Sequence, residues 1–174
     1  MKTLYLIGGT MGVGKTTVCQ ILKKEADRAV FLDGDWCWDA DPFQVTEETK
    51  QMVLDNICYL LNHFLHCSAY ETVIFCWVMH QQEILDQILA ALDLENCVVK
   101  TISLICSEQV LRERLEKDIR AGIRSGDVLE RSLERRKHYD SLSTEKLDVS
   151  WISAREAAER VLELPGQWYP AAQQ

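Results

Sequence analysis

The residues Gly9-Thr10-Met11-Gly12-Val13-Gly14-Lys15-Thr16 follow the spacing G-x-x-x-x-G-K-[ST], directly after the apolar run Leu4-Tyr5-Leu6-Ile7. Glycines so placed let successive backbone N–H groups converge on a polyphosphate. Lys15 then offers a point charge to the outer phosphates, and the Thr16 hydroxyl is placed to ligate Mg2+. A helix opening near Gly14 adds the positive end of its dipole. Gly9, Gly12, Val13, Gly14, Lys15, Thr16 and Thr17 are therefore the candidate nucleotide-phosphate contacts. The plainer alternative is a glycine-rich strand-to-helix turn that binds nothing. A strand signal before the loop and a helix signal after it argue against that alternative.

A second acidic feature, Asp33-Gly34-Asp35, closes the apolar run Ala29-Val30-Phe31-Leu32. At a strand-end turn both carboxylates could face the mouth of a sheet, where open α/β folds bind their ligands. One carboxylate there could hold Mg2+ or its bound water, and the other could accept the proton of an attacking hydroxyl. A solvated acidic turn is the duller use of the same residues. The segment that follows, Trp36-Cys37-Trp38-Asp39-Ala40-Asp41-Pro42-Phe43, sets three aromatics among further acids. Aromatic faces beside carboxylates suit a substrate bearing hydroxyls or amines, and suit it better than a dianionic monophosphate. Asp35, Trp36 and Trp38 are thus candidate substrate contacts, with packing under a helix as the alternative for the two tryptophans. His80 follows a third apolar run and reaches the same cleft in this reading; the alternative is a hydrogen-bonded strand-end histidine.

The elements that must position these groups alternate between strand and helix patterns, the α/β signature. Strands are predicted at Leu4–Ile7, Ala29–Leu32, Thr72–Trp77, Val98–Ile105 and Lys146–Val149. Thr72–Trp77 is unbroken apolar sequence, as in the middle of a parallel sheet. Helices are predicted over 15–28, over 47–67 as one long helix or two short ones, around Ile84–Leu92, after Ser107, over 128–139 and after Ser153. Ser107 can cap its helix, and Ser153-Ala154-Arg155-Glu156 is a capping box. Between Arg120 and Asp127 the apolar pattern breaks, predicting a polar loop or helix-turn-helix flap. Gln167-Trp168-Tyr169-Pro170 is expected to pack on its own domain, with a partner surface as the alternative.

Composition narrows the classes. A chain of 174 residues, 47% hydrophobic and 26% charged, fits one globular domain over 1–174. A net charge of −8 disfavours a nucleic-acid surface and favours a small-molecule partner. Seven cysteines form no C-x-x-C pair and mostly lie in apolar segments, the pattern of reduced core thiols in a cytoplasmic protein. No run is long and apolar enough for a membrane span, and no signal peptide is recognised, so no membrane association is expected.

The phosphate loop, the Asp-Gly-Asp turn and the arginine-bearing break together resemble the small P-loop kinases, such as gluconate kinase, shikimate kinase, adenylylsulfate kinase and chloramphenicol phosphotransferase. The resemblance covers nearly the whole chain. It implies a three-layer α/β P-loop NTPase fold, with a five-stranded parallel sheet of order 2-3-1-4-5 flanked by helices. It also implies ATP and Mg2+ as cofactors, a γ-phosphoryl moved to a hydroxyl of a small-molecule acceptor, and a lid around 116–136. By the shikimate-kinase pattern Asp33 takes the metal side and Asp35 the base or substrate-orienting side, though the two could be exchanged. Lys15 is catalytic, joined by lid arginines, for which Arg120 and Arg124 are the candidates. Arg114, Arg131 and Arg135 lie on the flanking helices, while Arg112, Arg135 and Arg136 read as a solvated face paired with glutamates.

Two departures from the family pattern stand out. Where related kinases often show R-L-x-x-R, this chain has Arg114-Leu115-Glu116-Lys117-Asp118, and Trp77-Val78-Met79-His80 offers no aspartate at the end of the third strand. Guanine-specific N-K-x-D is absent, Lys146-Leu147-Asp148 standing instead, which favours ATP over GTP. Two alternatives to the small-molecule kinase stay open: a nucleoside or nucleotide kinase, and a nucleotide-binding regulatory module with weak ATPase activity. Acceptor identity and oligomeric state are not legible.

Overall fold

In the computed structural model, which describes residues 1–170, the apolar runs pair into one sheet. Strands β1 (Lys2–Gly8), β2 (Ala29–Asp33), β3 (Thr72–Cys76), β4 (Cys97–Ile105) and β5 (Glu145–Asp148) lie parallel in the order β2-β3-β1-β4-β5. The order 2-3-1-4-5 is the one the family resemblance implied. A sixth strand that the sequence pattern did not suggest, β6 (Gln167–Tyr169), runs antiparallel along the first residues of β4. The tail thus packs on its own sheet, as expected.

Among the described residues, six helices cover the two faces. Helices α1 (Lys15–Glu25), α4 (Glu108–Arg120), α5 (Val128–Arg136) and α6 (Ala154–Glu163) pack on one face, and α2 (Glu47–His66) and α3 (Gln82–Ala91) on the other. Because successive strand side chains point to opposite faces, β1 divides between the layers: Tyr5 and Ile7 join the α1 side, Leu4 and Leu6 the α2 side. β3 divides likewise, with Ile74 and Cys76 opposite Val73 and Phe75. A strand buried on both faces must be apolar throughout, which is why Thr72–Cys76 reads as a continuous run.

The span 47–67 forms one helix, capped by Thr46 and burying Val53, Ile57, Leu61 and Leu65 at four-residue spacing. Ser107 and Ser153 cap α4 and α6 through their hydroxyls, as predicted. Several predicted ends move: α1 stops at Glu25 rather than residue 28, and β3 stops at Cys76 rather than Trp77. Trp77 N–H still reaches the Ile7 carbonyl at 3.2 Å and Val78 accepts the Gly9 N–H at 3.4 Å before the backbone takes a left-handed φ of 35° at Met79. The charged helix also ends sooner, at Arg136, and passes into a 3-10 turn, Lys137–Ser141. Among the described residues no helix is long and apolar enough to cross a membrane. All seven cysteines are free thiols.

Candidate active site

Parallel register brings the carboxyl ends of the central strands level, with Ile7 and Asp33 both opposite Cys76. The chain reverses direction about β1, so the crevice outside these ends is the switch point where open α/β sheets bind ligands. The loop 9–14 lies there. Gly9, Gly12 and Gly14 adopt φ values of 155°, 83° and 106°. At Gly9 a Cβ would also approach the Leu104 carbonyl oxygen to 2.9 Å, so neither conformation nor space admits a side chain. Gly14 is the N-cap of α1 and offers no side chain to its first turn, which holds no acidic residue either. The N–H groups that Thr46, Ser107 and Ser153 satisfy in their own helices are left for an anion at α1.

Lys15, the second requirement of the loop, turns its Nζ to the Thr10 carbonyl at 3.1 Å. Burial lowers its pKa, while Cys76, Asp35, Asp33 and Cys19 pull it back up. Thr16 donates its hydroxyl to Asp33 Oδ2 at 2.7 Å. Asp33 is only 5% exposed, and its other oxygen accepts the Asp35 backbone N–H at 3.1 Å. This bond caps the 3-10 turn Gly34–Cys37. Asp35 sits at the mouth of the cleft. Burial and then Asp33 raise its carboxyl above the ordinary range, against the pull of Lys15, the Trp77 indole and Arg124. Gly34 lies so close under Trp77 that a Cβ there would meet Trp77 Cγ at 2.5 Å.

Thr16 and Asp33 suit Mg2+, a hard cation that takes few protein oxygens and completes its shell with phosphates and waters. Among the described residues no cluster of three or more His, Cys, Asp and Glu forms a separate metal site.

The predicted acceptor residues divide. Trp36 is 58% exposed, its edge against Phe31 at 5.2 Å between ring centroids. Trp38 packs against the α2 face and stacks on Phe43 at 4.3 Å, so packing claims that tryptophan. His80 lies half-buried in the turn after β3, its ring edge-on to His138 at 5.9 Å. Burial, with Arg135 and His138 adding repulsion, pushes its pKa down to about 4, and its Nδ1 is buried with no hydrogen-bond partner.

The arginines also sort themselves. Arg120 is exposed at the end of α4, whereas Arg124 bonds Asp118 at 3.0 Å and is near enough to act on Asp35. Arg112 pairs with Glu108 and Arg131 with Asp127, as solvated residues do. The same reading fails for Arg135 and Arg136. Arg135 is half-buried beside His80 and Tyr139, and Arg136 buries an Nε that has no partner. The cause is the packing of α5, whose inner face is turned to the loop.

Three connections had no sequence signal beyond residue type. Arg114 donates to the Val13 carbonyl at 3.0 Å and to the Val149 carbonyl at 2.9 Å, tying the phosphate loop to the segment after β5. Thr10 donates its buried hydroxyl to the Ser132 carbonyl of α5 at 3.1 Å. Tyr139 donates to the Val78 carbonyl, and its own hydroxyl is strongly raised in pKa by burial. A small cleft of about 160 Å³ beside the loop is lined by Thr17, Arg114, Val149, Ile152 and Ser153, among others. A larger cavity of about 790 Å³ lies at the far sheet edge between α3, β5 and β6 and holds none of the predicted site residues.

The model of a family described as an AAA domain matches residues 6–138. No curated protein matches the chain. Among solved structures, a gluconokinase from Sinorhizobium meliloti 1021 superposes with a TM-score of 0.68 at 20% identity, over 92% of this chain and 90% of that one. The Deinococcus radiodurans tunicamycin resistance protein gives 0.65 at 17% identity, over 94% and 95%. The Mycobacterium tuberculosis APS kinase, in complex with AMPPNP and APS, gives 0.60 at 15% identity, over 93% and 95%. The fold is thus the one that small P-loop kinases share.

Proposed function

We propose that this chain, which belongs to the AAA domain family, is an ATP-dependent small-molecule kinase that moves the γ-phosphoryl of ATP to a hydroxyl of its acceptor. The observation that carries the reading is the pair Asp33 and Asp35 brought against Lys15 and Thr16. A loop that only held nucleotide would have no use for a second carboxylate of raised pKa at its mouth.

In this reading the loop N–H groups and Lys15 hold the phosphates, with Thr16 and Asp33 holding Mg2+, and Thr17 completes the phosphate contacts. Bound there, Mg2+ neutralises charge on the phosphates. Asp35 accepts the proton of the acceptor hydroxyl as its oxygen bonds to the γ-phosphorus. The bridging bond to the β-phosphate breaks, and ADP leaves with the electron pair. Arg124 is the lid arginine nearest the reaction, with Arg120 as the other candidate, in a lid around 116–136 of a single domain over 1–174. The acceptor lies against Asp35, Trp36 and His80, with Trp38 behind them as a packed wall.

Between Arg28 and Lys50 the chain has no Lys or Arg, while Asp35, Asp39, Asp41, Glu47 and Glu48 lie in that span. This charge supports a polar or cationic acceptor over an anionic one. The reduced thiols and acidic surface support a cytoplasmic setting without nucleic acid as partner.

The test is ADP release with Mg2+ and ATP, alone and with a library of amino-sugars, polyols, nucleosides and nucleoside monophosphates. Stimulation by a polar or cationic acceptor that disappears in Lys15→Ala supports the proposal. Stimulation by monophosphates alone turns it into a nucleotide kinase. Nucleotide binding that no acceptor stimulates turns it into a regulatory module.

A further inference from the structure

Helix α4 ends in a complete Schellman motif. Ile123 N–H bonds the Asp118 carbonyl at 2.9 Å, Gly122 N–H bonds the Ile119 carbonyl at 3.0 Å, and Gly122 takes the required left-handed φ of 71°. This turn folds the next residues back over the last turn of the helix. Arg124 Nε thereby reaches Asp118 Oδ2 at 3.0 Å.

The pair differs in kind from the others. Among the described residues it is the most sheltered of the ion pairs, with each side chain 31% exposed, whereas the helical pairs Arg131–Asp127 and Arg160–Glu156 leave both partners more open. It joins a helix to the turn beyond it and so fixes the path of the chain. Because Nε makes the contact, the two Nη groups are left without a hydrogen bond among the described residues. Helix α4, which this turn ends, packs on the phosphate loop: a Cβ on Gly12 would meet Leu115 Cδ2 at 2.6 Å, and Arg114 donates to the Val13 carbonyl at 3.0 Å.

We propose that Asp118 is a positioning residue, which holds Arg124 by its Nε so that the Nη groups face the cleft between Lys15 and Asp35. Asp118 stands where related kinases often carry a second arginine, so this chain supplies the cation from the turn six residues later and uses the carboxylate to aim it. The proposal rests on the kinase reading above for what Arg124 does, but the pair itself can be tested without an acceptor.

Two measurements on the full chain separate the ideas. First, hydrogen exchange of residues 119–127 is followed with and without a non-hydrolysable ATP analogue. The analogue is expected to slow exchange in the wild type and in Asp118→Glu, and to lose that effect in Asp118→Asn. Second, once an acceptor is found, Asp118→Asn is expected to lower kcat up to about 100-fold, as misplacement of a reacting-site group does. KM for ATP should stay within about twofold, because Asp118 acts on the transferring group rather than on nucleotide binding. Asp118→Glu should restore part of kcat, and Asp118→Asn combined with Arg124→Ala should be no slower than Arg124→Ala alone. Unchanged exchange in Asp118→Asn, a raised kcat, or additive losses in the double variant would each overturn the proposal. A wild type that phosphorylates nothing would instead sink the kinase reading, and exchange would still decide whether Asp118 holds Arg124.

Discussion

The Thr16 hydroxyl and the Asp33 carboxylate meet at 2.7 Å, joining the phosphate loop to the end of a strand that is not its neighbour in the sheet. β3 lies between β1 and β2, and its register sets both strand ends at one level. The second oxygen of Asp33 caps the turn that carries Asp35. One buried carboxylate therefore places the loop hydroxyl and the second acid together.

Asp33→Asn keeps an oxygen for Thr16 but removes the charge a divalent cation needs. Turnover at fixed Mg2+ is expected to fall at least about 100-fold, the scale of losing one preorganised charge contact. The Mg2+ concentration for half-maximal ADP release should rise while the melting temperature changes little. Magnesium titration of ADP release beside a thermal melt checks both.

In the proposed reaction Asp35 trades stability for reactivity. Its folded pKa is raised by burial and by Asp33, so the native state binds this proton more tightly than the unfolded chain does. Its stabilising contribution is present below the unfolded pKa and is lost as pH rises through the folded one. Asp35→Asn is therefore expected to melt higher than wild type at neutral pH, with the difference closing as pH falls to about 3. Phosphorylation of the acceptor should drop about 100-fold or more. The wild-type rise of kcat/KM with pH, through a pKa above the usual carboxylate range, should vanish. Paired melts and pH–rate profiles read these together.

Gly34→Ala forces a Cβ to within 2.5 Å of Trp77 Cγ, and the ring is attached too near the backbone to swing clear cheaply. The expected cost is about 1–3 kcal/mol, as for overpacking elsewhere. The displaced turn should also weaken acceptor turnover. In a Trp77→Ala background, which lacks Cγ and Cδ1, Gly34→Ala should cost less than in the wild type, measured as the difference in denaturant midpoint with and without Gly34→Ala.

Arg114→Ala removes both bonds that tie the Val13 and Val149 carbonyls together. A hydrogen bond from a charged group contributes about 1.5–3 kcal/mol, so a loss of about 2 kcal/mol in unfolding free energy is expected. KM for ATP should rise about tenfold, equivalent to about 1.4 kcal/mol. Urea melts and ATP titrations check each part.

The phosphate loop was legible because its chemistry is local. A short contiguous stretch holds the glycines, lysine and threonine that the geometry requires, between an apolar run and a helix pattern. The position of Asp33 was nearly as plain, since it closes an apolar strand, although the same residues also suit a solvated turn. Arg136 was misread as solvated because its spacing on α5 suits a surface pair equally well, and only the packing of that helix buries its Nε. β6 escaped notice because three residues, Gln167–Tyr169, are too few to show a period.

Residue identity and spacing by themselves determined the strand–helix alternation, the phosphate loop and the two acids of the turn, because each depends on neighbours within one element. Tertiary packing decided where the long-range partners lie: Arg114 spans 101 residues to Val13, and Thr10 spans 122 to Ser132. It also decided that Trp38 is packed while Trp36 stays exposed, and that Arg124 is tied back to Asp118 while Arg120 stays exposed. Backbone carbonyls carry no sequence signature, and a side chain's exposure depends on which surface settles over it. Those contacts exist only once the sheet has closed its register and the helices have docked.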